Sequence, residues 1–153
     1  MEDTYLMNAY MAQLNKDESM LIRSLNDYVA LKELRYKALE NKTFHHDSWL
    51  RDMTCGEGES ENKFTEGSAE FVEVSYLIAL GLVDARDIVE TQDYSTFYSS
   101  KSSNRFYYTG MLELMLLKEI DPSFKDYASV DYIKQDLSWR ELPFFRIKNI
   151  LSK

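Results

Sequence analysis

The chain has 153 residues and 44% hydrophobic content, which suits one domain with a core of its own. Its formal net charge of −8 argues against general binding to nucleic acid, because that affinity comes from Lys and Arg displacing counterions. A single cysteine, Cys55, excludes an intrachain disulfide framework.

Only 5 Gly and 2 Pro interrupt the chain, a profile that favours helices joined by short connections. The opening Met1-Glu2-Asp3 is acidic, unlike a secretory leader. The longest apolar run, Tyr76 to Val83, is too short to cross a bilayer. No membrane association is expected, and the expected compartment is the cytoplasm of a bacterium or of an infected host cell. The charge is uneven. Residues 42–93 hold 12 acids against 4 bases, whereas residues 138–153 hold 1 acid against 4 bases.

Taken in order, residues 4–41 contain neither Gly nor Pro. Met7, Met11, Leu14, Leu21, Leu25, Tyr28 and Leu39 recur at steps of three and four, which places them on one helical face. Glu18, Lys32 and Arg35 are polar breaks in that seam. One continuous helix would span roughly 57 Å at about 1.5 Å per residue. The alternative is a helical hairpin broken near Lys16, with Asp17 capping the second helix. A seam this long is buried against the chain's own core, a second copy or a partner.

Residues 54–66 are polar, contain glycine and carry the acidic run Glu57 to Glu61, so a flexible acidic loop is expected there. Asp47 or Ser48 is placed to cap one helical turn through Met53. Ser68 then reads as the N-cap of a central helix through Leu80. Gly81-Leu82 reads as its left-handed C-terminal cap, with an apolar contact from Leu82. Asp84 caps the next helix, with Asp87 in its first turn and Ile88 and Val89 facing inward. A second central helix runs from Asn104 and stops before Asp121-Pro122. A short helix over residues 130–137 follows. Ser138 and Glu141 form a capping box before the last helix, with Pro143 in its first turn. The expected fold is all-α, a single-domain helical bundle whose main body is residues 68–153.

No sequence signature of catalysis appears. His45, His46, Asp47 and Cys55 include metal-ligand types, but the two histidines are adjacent and zinc needs three or four converging ligands. Glu61-Asn62-Lys63 has a spacing used by metal-dependent nucleases, without the strand and positioned Asp that chemistry needs. No metal, cofactor or catalytic residue is therefore assigned.

Two stretches favour protein contact. Tyr94, Tyr98, Lys101, Arg105, Tyr107 and Tyr108 lie in a Tyr/Ser-rich stretch, where Tyr offers large contact area at low entropic cost and Ser offers adaptable hydrogen bonds. Glu66, Glu70 and Glu73 follow steps of four and three and line one helix face as a negative stripe. Such a stripe suits a basic partner surface. The expected function is that of a non-enzymatic acidic binding factor: an inhibitor, an immunity protein, a phage anti-defence protein of the anti-CRISPR kind, or an adaptor. The alternative is a structural subunit, a homodimer or larger assembly zipped through the N-terminal helix. An enzyme built on carboxylates brought together by the fold ranks below both.

Overall fold

A computed structural model describes residues 2–46, 51–90, 105–124 and 143–153 of the chain. These residues form an all-α bundle of six helices, and their one sheet is a two-stranded hairpin. The N-terminal seam folds back on itself as α1 (Glu2–Leu14) and α2 (Glu18–Leu39). Lys16 makes the turn with a positive φ of 57°. Its amide donates to Gln13 O at 3.1 Å and that of Asp17 to Ala12 O at 2.9 Å, the Schellman ending that a glycine usually supplies. The Asp17 carboxylate caps α2 by accepting from the Met20 amide at 3.0 Å.

The register of the seam holds along α2, where Leu21, Leu25 and Tyr28 are buried. Along α1 it is offset by one: Leu6, Ala9 and Tyr10 face the core, and Met7, Met11 and Leu14 are half-buried beside them.

Strands β1 (Thr43–His46) and β2 (Arg51–Thr54) pair antiparallel, with Thr43 opposite Thr54 and His46 opposite Arg51. Residues 51–53 are thus strand, where a helical turn was expected; residues 47–50 lie outside the described residues. A larger correction follows. Helix α3 (Cys55–Ala79) runs through the segment expected to be a flexible acidic loop. Ser68 lies within it, not at its start, and its hydroxyl donates to Thr65 O at 3.0 Å. Local propensity favoured a loop, but Glu59 and Lys63 are buried against other helices, and that tertiary contact prevails.

Helix α3 closes as expected. Gly81 has a φ of 70°, its amide donates to Ile78 O, and that of Leu82 donates to Leu77 O, both at 3.0 Å. Leu82 remains exposed, so the apolar contact that often accompanies this cap is weak at most. Asp84 accepts from the Arg86 amide at 2.8 Å ahead of the single turn α4 (Asp87–Glu90), which buries Ile88.

Helix α5 (Arg105–Ile120) is the centre of the bundle. Met111, Leu112, Leu114, Met115, Leu116 and Leu117 are all buried, so it is enclosed on every side. It crosses α3 at two glycines. A Cβ on Gly67 would stand 2.4 Å from Gly110 C, and one on Gly110 would stand 2.0 Å from Lys63 O. Backbone meets backbone there. Helix α6 (Pro143–Leu151) closes the bundle with Phe144 and Ile147 buried. Phe144 meets the rings of Tyr28 and Tyr36 edge-on, at 6.0 and 5.2 Å between centroids. The helix expected over 130–137 and the capping box at Ser138 and Glu141 lie outside the described residues.

Candidate functional site

Helix α3 was expected to be central through Ser68–Leu80, and it is not. Val74 is its one fully buried apolar side chain in that stretch, with Phe71 and Ile78 half-buried beside it. Val72, Tyr76 and Leu80, four residues apart, lie on the opposite face at 65%, 65% and 53% exposure. They form a continuous apolar stripe directed at solvent. Glu73 is exposed and Glu66 half-buried along one margin of the same face. Tyr107, half-buried on α5, shares a hydrogen bond with Glu66, which raises its phenol above the usual value. Glu70 is half-buried. The structure thus brings Tyr107 to the Glu66, Glu70 and Glu73 stripe.

The remaining residues of the expected contact set behave differently. Tyr108 is buried, and its hydroxyl donates to Ile88 O at 2.9 Å, so this tyrosine joins α5 to α4 inside the molecule. Tyr94, Tyr98 and Lys101 lie outside the described residues. Arg105 begins α5, and its side chain lies outside them too.

On the flank of the α3 stripe, a cleft of about 280 Å³ opens between α1, α3 and α5. Tyr10, Leu14, Phe71, Ile78 and Met115 form its walls, with Lys118 and Glu119 also lining it. Burial, then Asp84 and Glu119, push the Tyr10 phenol up to about 12.

A second constellation is internal. Lys32 is fully buried on α2 and pairs with the Glu59 carboxylate of α3. Arg35, one turn further on, grips the other oxygen of Glu59 with Nε and Nη2 at 2.9 and 2.7 Å. Lys63 of α3 stands 3.6 Å from Glu113 of α5, and the Tyr28 hydroxyl donates to the same Glu113 oxygen. The Lys32 ammonium also sits 4.5 Å from the centre of the Tyr36 ring. Burial drives the Glu59 carboxyl upward, but Lys32 and Arg35 outweigh it and hold the group below its ordinary value. Tyr28 is pushed well above the ordinary phenol by burial and by the Glu113 charge.

None of these partners was paired in the sequence reading. Lys32 appeared there as a break in the seam and Lys63 as part of a nuclease-like triplet. The one available signal was that Lys32 falls in register with Leu21, Leu25 and Tyr28, which forces a charge inward. These two carboxylates are each matched by a cation. Among the described residues, no three His, Cys, Asp or Glu side chains stand close enough to hold a metal. No described helix is long and apolar enough to cross a membrane.

Compared with known protein families, with curated proteins and with solved structures, the chain shows no significant match.

Proposed function

We propose that this protein is a non-enzymatic binding factor that docks on a partner protein through the outer face of α3. The observation that carries this reading is the Val72, Tyr76 and Leu80 stripe, exposed on a helix whose other side is packed. Exposed apolar patches rimmed by polar groups mark interaction sites. Glu66 and Glu73 supply that rim, and their charge suits a basic partner. The apolar stripe supplies affinity and the carboxylates supply orientation and encounter rate. An inhibitor, immunity or anti-defence protein, or an adaptor, acts this way, by covering a functional surface.

Assembly through the N-terminal helix has less support, because Leu21, Leu25 and Tyr28 of the seam are already buried within the chain.

The test places a photo-crosslinking amino acid at Tyr76, and in parallel at Leu34, which is 70% exposed on α2. The expected result is one discrete adduct from position 76 in the native cell, with a basic protein. It should weaken in high salt and vanish in Val72→Asp and Leu80→Asp backgrounds that melt like wild type. Crosslinking from 76 no different from 34, or an adduct indifferent to both substitutions, would overturn the reading.

A further inference from the structure

The first three turns of α3 hold a conformation that their own sequence does not favour. Between Cys55 and Phe64 there is no apolar side chain, and Gly56 and Gly58 fall inside the helix. Each glycine disfavours helix by about 1 kcal/mol relative to alanine. Apolar burial holds the other half of α3, through Phe71, Val74 and Ile78. Charge holds most of the first half, where Phe64 is the one described apolar side chain packed against the core. Glu59 is bound by Lys32 and Arg35 of α2, and Lys63 by Glu113 of α5, with Tyr28 completing the cluster. The two halves meet over Lys63 to Gly67, where the α3 backbone rests on Gly110 through the Lys63 carbonyl and Gly67.

These two kinds of anchor fail differently. Apolar contacts lose stability by increments, atom by atom. Removing one partner of a buried ion pair strands the other charge, a loss concentrated in one place. We propose that residues 55–66 form a latch: a segment that opens from the bundle as a unit when the Glu59 and Glu113 pairs break, while α3 beyond Gly67 stays packed. Strand β2 leads directly into Cys55, so the hairpin moves with it. Opening uncovers Lys32 and Tyr28 on α2 and Glu113 on α5, all of which are buried when the latch is shut. The surface so exposed adds Lys32 and Glu113 beside Arg35, which is partly exposed already.

Hydrogen exchange on the full chain at neutral pH tests this, comparing wild type with Glu59→Gln and Glu113→Gln. The expected result is exchange about 100-fold faster over residues 58–66, the ratio for about 3 kcal/mol of lost closing free energy. In wild type, residues 58–66 should already exchange through a smaller opening than residues 111–117 of α5, with a weaker urea dependence. One urea dependence shared by both segments would make them a single cooperative unit, and the latch would be wrong. Unchanged protection over 58–66 in both variants would overturn it equally.

Discussion

At Lys16 the chain places a lysine where helix endings usually take glycine. A side chain in the left-handed region costs roughly 1–2 kcal/mol, so Lys16→Gly should stabilise the protein by about 1 kcal/mol, less the entropy the glycine adds to the unfolded chain. At Gly81 the same conformation is already served by glycine, and open space surrounds it. Gly81→Ala should therefore cost about 1 kcal/mol, from strain alone. Urea denaturation of both variants checks the pair, which should move the midpoint in opposite directions. The Asp17 and Gly81 caps were legible in the sequence because their rules act within a few residues. The partners of Lys32 were not, because Glu59 comes from another helix and no local pattern links them. The Tyr28 hydroxyl offers a third measurement. Tyr28→Phe removes the donor to Glu113 and should lower stability by about 1–3 kcal/mol, since the acceptor is buried and charged.

Between elements, Asp121 joins the end of α5 to α6. Its carboxylate accepts from the Ser123 amide at 2.9 Å and from Arg146 Nε at 2.9 Å. Burial pushes the Asp121 carboxyl up, but Ser123 and Arg146 more than offset this and hold it below the ordinary value. A carboxyl depressed in the folded state adds stability above its unfolded pKa of about 3.9, and that stability is lost as pH falls through the folded value. Asp121→Asn should thus lower stability at neutral pH and flatten its decline in acid below about pH 4. Urea midpoints for both proteins across that range supply the measurement. Element by element, α5 was the most readable: a dense apolar run ended by Asp121-Pro122. Helix α3 was the least. Its first half looks like a loop by composition, and its second half looks central by apolar content. The first was misread because ion pairs, not propensity, hold it. The second was misread because the exposed stripe and a buried face contain the same residue types.

For the whole molecule, the all-α class followed from scarce Gly and Pro and from periodic apolar residues, and the bundle has that class. The candidate face was half legible: Glu66, Glu70 and Glu73 were placed by spacing, but the exposure of Val72, Tyr76 and Leu80 depended on which side of α3 meets α5. With the N-terminal seam folded inward, light scattering should give the monomer mass of 18.0 kDa at low and high salt alike. A salt-resistant larger mass would return the seam to self-association. Packing across the α3–α5 crossing should be unforgiving. Gly67→Ala should cost about 3 kcal/mol, and Gly110→Ala at least as much, read as loss of the urea midpoint. The crossing also has a consequence for how such a sequence can drift. A core contact between two side chains lets one grow while the other shrinks, so lineages can exchange volume across it. Here neither partner has anything left to give up. Any mutation at either glycine is a one-sided loss with no compensating change opposite. The two positions should therefore stay fixed in descendants of this chain even as the residues around them turn over.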